Sequence, residues 1–246
     1  MGMRANHGFT IIEVMLFLAV TGALTIGVMV GAGVSIGQQR YRDSVNSLKS
    51  FVQSQYSEVT NVVNDRAQNW TCDNNGNVTE TPNGGEVRGT SDCVVLGRLV
   101  TVDATGKNLT SSNVIGSRTS GAAEGNSDIV ELLNYDMSVS PINSQTSEVS
   151  WGAQIVDPQT TNPQSMSILI VRSPLNGSVL TFTVDNVQTN VKGMIVAGNR
   201  TNARHLCVNP DAGTFTGSKR LEVRIDAFAA NQSAVLIPTE AESVCD

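Results

Sequence analysis

Aromatic and charged side chains are both scarce in this chain. Aromatics make up 4% of the 246 residues, which leaves little material for base-stacking platforms or a sugar-binding aromatic surface. Charged residues reach only 15%, and Ser, Thr, Asn and Gly fill the gap, a composition that suits a surface exposed outside the cell. The formal charge of −6 provides no global attraction to nucleic acid or anionic lipid. The two histidines, His7 and His205, lie far apart, and no cysteines form a CxxC pair. A zinc site needs three or four convergent ligands, so no metal is expected, and no cofactor either. The chain has no phosphate-cradling glycine loop, no GxSxG and no HExxH. Ser-His-Asp catalysis would have to run through His205, and a lone histidine near a strand beside Cys207 reads as structural. No catalytic residue is expected, and an enzyme is not the reading.

What is present concentrates at the N-terminus. Residues 1–8, MGMRANHG, are short and polar with one firm positive charge at Arg4. From residue 14 to residue 39 no side chain is charged and no proline occurs. That run exceeds the roughly 20 residues a helix needs to cross a bilayer, so a membrane-spanning helix is the direct physical reading. Three interpretations compete: a plain anchor, a cleaved secretory signal with Gly31, Ala32 and Gly33 as a loose cut site, and a prepilin. Glu13 separates them. A carboxylate in a lipid-facing helix costs about 3 kcal/mol on insertion scales, and an ordinary anchor has no use for one.

The run Gly8-Phe9-Thr10-Ile11-Ile12-Glu13-Val14 resembles the cleavage and methylation motif of type IV pilins and type II secretion pseudopilins. The resemblance implies that a prepilin peptidase cuts after Gly8 and methylates Phe9 as the new terminus. It also implies that Glu13 neutralises the N-terminal amine of a neighbouring subunit during assembly. Such pairing is physically apt, because opposite charges in lipid are tolerable only together. Further implied partners are other pilin subunits, an inner-membrane assembly platform with separate ATPases, and membrane lipid before assembly. The implied location is the cytoplasmic membrane with the N-terminus inside, then an extracytoplasmic pilus or pseudopilus. The match covers the leader and the helix.

The chain departs from the family in two respects, the helix and the flanking charges: many filament-forming members carry a proline in the apolar helix. Here Gly22, Gly27, Gly31, Gly33 and Gly37 could supply flexibility, each weakening a helix by up to about 1 kcal/mol relative to Ala. Arg40, Arg42 and Lys49 follow the span while only Arg4 precedes it. Charge counting therefore does not set the orientation, which comes from the resemblance.

Beyond the span, Val45, Leu48, Val52, Tyr56, Val59 and Val63 recur at spacings of three and four, with Phe51 and Val62 flanking. This predicts that the helix continues with one apolar stripe, under a globular head, to an end near residues 65–69. Gln53, Ser57, Glu58 and Asn61 sit off the stripe. The expected divisions are a leader at 1–8, a transmembrane and assembly helix at 9–39, an amphipathic helix at 40–68 and a β-rich extracytoplasmic head at 69–246. Strands are expected at 94–103, 128–135, 149–156, 166–172, 178–184, 191–197, 204–208, 220–226 and 234–237, separated by Gly, Pro, Asn, Asp and Ser. Segments 104–127 and 138–147 read as exposed loops. The fold class is α+β, a long N-terminal helix packed on an antiparallel β-rich head with two packed sheets. Its layout resembles that of GspH/FimT-type minor pilins.

Four cysteines at wide spacing behind a membrane segment read as two disulfides. Sequential pairing, Cys72 with Cys93 and Cys207 with Cys245, closes the shortest loops and is expected; many pilins also close a C-terminal loop. Arg200, Arg204, Lys219, Arg220 and Arg224 cluster in sequence. Gathered on neighbouring strands they would make a patch able to hold DNA by its phosphates, although a solvated face with scattered ion pairs is the favoured reading. The function expected is a structural filament subunit. The rival is a membrane-anchored or secreted β-domain binding module such as an adhesin.

Overall fold

The structure is a computed structural model and describes residues 10–61, 70–81, 85–86, 90–91, 93–142, 144–210 and 220–245. Helix α1 runs over Ile11–Thr60, 50 residues without a break, about 75 Å at 1.5 Å per residue. Thr10 caps it: its hydroxyl accepts from the Glu13 amide at 3.3 Å. The expected extension to 65–69, with Val62 and Val63, lies outside the described residues.

The remaining elements follow in order: β1 Trp70–Cys72, β2 Val78–Glu80, β3 Cys93–Val102, β4 Asn108–Arg118, α2 Asp128–Leu133, β5 Tyr135–Val139, β6 Gln145–Glu148, β7 Gln154–Val156, β8 Met166–Arg172, β9 Val179–Val184, α3 Val191–Ala197, β10 Arg204–Asn209, β11 Leu221–Ile225 and β12 Val235–Leu236. All pairings between these strands are antiparallel. The larger sheet orders its strands β5-β4-β3-β8-β9, with β6 also on β4; the smaller is β12-β11-β10-β7; β1 and β2 form a separate ribbon.

Period-two alternation divides the larger sheet between two cores. Val100, Val102, Met166, Ile168 and Ile170 join Ile155, Leu206, Val208, Val223 and Ile225 of the smaller sheet around α1. Leu99, Leu169, Val171 and Phe182 lie in the other core, covered by Leu132 of α2 and by Val191, Met194 and Ile195 of α3. The two sheets are thus packed as expected, with the second half of α1 between them. Gly97 leaves room for the neighbouring β8 backbone, because a Cβ there would lie 2.1 Å from the Ile170 carbonyl oxygen.

Four expected segments need correction. Segment 128–135 begins as a helix and 191–197 is a helix throughout, where strands were expected. Ser127 caps α2 by accepting from the Val130 amide, and Asn190 caps α3 by accepting from the Gly193 amide. These N-caps outweigh the β-branched content that suggested strands. The expected loop 104–127 contains β4, a central strand of 11 residues. Its buried positions include Ser111, Ser112 and Ser117, so it lacks the apolar alternation that marks a strand. Within the other expected loop, 138–147, β5 ends and β6 begins.

Candidate assembly helix and head surface

The first half of α1 has no cover within its own chain. Every large apolar residue from Ile11 to Ile36 is exposed, Ile11 at 78%. The helix is long and apolar enough to cross a membrane by length and composition. Thr21 and Thr25 return their hydroxyls to the carbonyls of Phe17 and Thr21, so their polar groups are satisfied internally, as hydrocarbon requires.

Glu13 occupies the third position of this helix, with Thr10 as its cap. Thr10-Ile11-Ile12-Glu13 has the spacing of a capping box, a signal visible in the sequence. An acidic group in the first turn also faces the positive end of the helix dipole. Local helix chemistry therefore offers Glu13 a second reason to be acidic. Among the described residues no cationic group pairs with it. Gly8 and Phe9, the expected cut and methylation positions, lie outside the described residues, as does Lys219.

From Tyr41 onward one face of α1 is buried: Tyr41, Ser44, Val45, Leu48, Val52, Gln55, Tyr56 and Val59. Val45, Leu48, Val52, Tyr56 and Val59 were legible in the sequence; Tyr41, Ser44 and Gln55 were not. The Tyr41 hydroxyl donates to the Val208 carbonyl at 2.7 Å and accepts from the Leu221 amide at 2.6 Å. Gln55 accepts from the Arg98 Nε at 3.0 Å and from the Ser111 hydroxyl. Arg98 continues to Asn113 at 2.7 Å and to Glu58 at 2.8 Å. Burial lowers the Arg98 pKa, and the Glu58 carboxylate opposes that shift. This network fixes α1 axially on the larger sheet, because a slip along the helix would strand buried donors.

Both expected disulfides are present, Cys72–Cys93 and Cys207–Cys245. In the chain-entropy model, loops of 21 and 38 residues correspond to about 3–4 kcal/mol of stabilisation each. The second bridge ties the chain's last described residue to β10. Glu222, fully buried on neighbouring β11, reinforces the tie by accepting from the Val244 amide at 2.9 Å. Its other oxygen lies 2.6 Å from the His205 Nδ1. His205 is thus engaged with a carboxylate that the sequence did not single out.

The arginines do not gather into one open surface. Arg200 lies 5.7 Å and 5.3 Å from the ring centroids of Phe182 and Phe228. Arg204 pairs with Asp185, Arg220 donates to the carbonyls of Asp157 and Pro158, and Arg224 pairs with Asp226. In the β10–β11 register Arg204 stands opposite Ile225 and Arg224 opposite His205, so alternation sends the two arginines to opposite faces. A polar cleft of about 530 Å³ opens beside Arg204, His205, Asp157, Gln164 and Asp185, with no Phe, Tyr or Trp lining it. Among the described residues no group of three His, Cys, Asp or Glu side chains is placed to hold a metal ion.

Together these features define a disulfide-bonded β-rich head on one long apolar helix that is compatible with a membrane span. No family model matches the chain, no curated protein is significantly similar to it, and no solved structure matches it.

Proposed function

We propose that this chain is a structural subunit of a type IV pilus-like or type II secretion-like filament, cut after Gly8, methylated at Phe9 and assembled through the first half of α1. The observation that carries the reading is the division of one helix. Residues 11–36 present apolar side chains with nothing from the head to cover them, whereas Tyr41 and the stripe beyond it are sealed into the head. Lipid covers such a surface before assembly, and the equivalent helices of neighbouring subunits cover it afterwards. Glu13 on that surface then meets the Phe9 amine of a neighbour. Two disulfides suit a head outside the cytoplasm.

The capping geometry at Thr10 favours a second reading, an anchored β-domain module in which Glu13 serves only its own helix. Two measurements separate them. Mass spectrometry of protein from the native host should find N-methyl-Phe9 at the mature terminus; an intact Met1 on the mature protein, with none of the chain in filaments, would sink the filament reading. Glu13→Gln keeps a side chain that can close the capping box but removes the charge. Incorporation into filaments should fall sharply with Gln as well as with Ala. Normal incorporation of Glu13→Gln would leave Glu13 a capping residue only.

A further inference from the structure

Trp151 and Phe228 are large aromatic residues of the head that stay exposed, and Trp151 is the one beside the apolar half of α1. It lies in a short 3-10 turn, Ser150–Gly152, between β6 and β7. Its φ of 61° and ψ of 30° are left-handed, a region that bulky residues rarely occupy. Val149 and Ala153 on either side are buried at 3% and 2%, while the indole is 55% exposed. The turn is held from below, with the Val149 amide bonded to the Lys107 carbonyl and the Ile155 amide to the Gly106 carbonyl. The backbone is thus fixed in an unfavourable conformation that turns an indole outward.

The position of that indole along α1 gives the conformation a purpose. The Arg40 guanidinium sits 4.8 Å from the Trp151 ring centroid, and Tyr41 is the first residue of α1 that the head buries. Trp151 therefore marks the end of the head nearest the apolar half-helix. From Ile11 to Arg40 is 29 steps along one unbroken helix, about 44 Å at 1.5 Å each. A bilayer with its headgroup layers measures about 40–45 Å. If Ile11 lies at one boundary, Trp151 and Arg40 lie at the other. Amphipathic indoles concentrate at that level of a membrane, and arginines there meet lipid phosphates.

We propose that Trp151, with Arg40 and Arg42, is an interfacial anchor that seats the membrane-proximal end of the head in the phospholipid headgroup layer before the subunit leaves the membrane. The proposal rests on α1 spanning the bilayer. Exposed Asp43 and Glu148 also lie near this end, and Asp103 is tied into its own turn. The patch is therefore not uniformly basic, and the indole rather than net charge carries the attachment. The occupant is lipid rather than protein because the site falls at membrane-boundary height.

The test uses the full-length chain in phosphatidylethanolamine–phosphatidylglycerol vesicles, with Trp70→Phe leaving Trp151 as the single indole. Trp151 emission should shift to the blue relative to an indole in water. Lipids brominated near the headgroup should quench it more strongly than lipids brominated deep in the chain. Should Trp70→Phe fail to fold, the difference between the unsubstituted protein and Trp151→Phe gives the same quantity, because Trp70 is buried in the head. A second probe, Leu24→Trp with both native tryptophans changed to Phe, reports the span and should be quenched most by deep bromines. Deep quenching at Leu24→Trp with water-like, unquenched Trp151 emission would overturn the anchor and leave the span standing. No quenching at Leu24→Trp would remove both. Trp151 shielding that appears only as protein density in the vesicles rises, without bromine quenching, would assign the patch to a neighbouring subunit and overturn the lipid assignment.

Discussion

Leu24 and Leu48 belong to the same unbroken helix, yet Leu24 is 64% exposed and Leu48 3%. Helix propensity does not distinguish the two halves, since both hold α geometry throughout. What differs is the arrangement of polar groups around the axis. The first half is apolar nearly all round and gains nothing from its own head. The second half confines its apolar residues to a stripe and adds Tyr41, Gln55 and Tyr56, whose polar atoms meet partners in the sheets. A helix face is committed to one head when its polar atoms are matched to particular strands. An all-apolar face carries no such address and suits lipid and sister helices equally.

The comparison can be broken most directly by truncating each leucine. Leu48→Ala should destabilise the head by about 3 kcal/mol, as expected for a fully buried leucine, whereas Leu24→Ala should change it by less than about 0.5 kcal/mol. Denaturant unfolding of the full-length chain in detergent, followed by the buried Trp70, measures both. Equal losses would mean that the head leans on the apolar half as well. Arg98→Ala comes next, at about 2 kcal/mol. It strips a buried donor from Gln55 and Asn113, but Glu58 is 38% exposed, so loss of the ion pair itself weighs less. A variant as stable as the parent would show that the polar network does not hold α1 in place.

The smallest effect sharpens the head side of the comparison. Desolvation would raise the Asp103 carboxyl, but hydrogen bonds from Asn108, Thr105 and Lys107 outweigh it and bring the pKa down to about 2 from 3.8. The ionised form is the one favoured in the folded chain. Its contribution is therefore complete above about pH 4 and disappears as the pH falls toward 2. Asp103→Ala should cost about 1 kcal/mol or less at neutral pH, since this turn is open to solvent. The gap between parent and variant should close between pH 4 and 2. A gap that stays constant over that range would mean that the carboxylate's charge does not hold the β3–β4 turn.

The parts of the fold written in side-chain periodicity were legible: the apolar span, the stripe from Val45 to Val59, and strands such as β8 and β9. So was sequential disulfide pairing, which followed from loop length. The parts written in backbone chemistry were harder to see. The N-caps Ser127 and Asn190 each start a helix in a segment whose composition favours strands. β4 hides behind its serines, and the partner of the buried Ser111 hydroxyl is Gln55, more than 50 residues earlier. The capping-box spacing of Thr10 and Glu13 is equally plain in the sequence and gives Glu13 a local helical role beside the lipid one. Scattered ion pairs were the favoured expectation for the arginines, but their particular partners Asp185, Asp157 and Phe228 could not be named, because the fold alone brings them close.

The Tyr41 hydroxyl stands where a rung would otherwise join the ends of β10 and β11, taking the amide of one strand and the carbonyl of the other. Traction along α1 would therefore enter the head at that oxygen and spread to both strands together. One residue from Val208, Cys207 fastens β10 covalently to the far end of the chain. A head pulled through α1 would be gripped at a seam that is stitched beside the point of pull, so the head would follow the helix before the sheet could unzip.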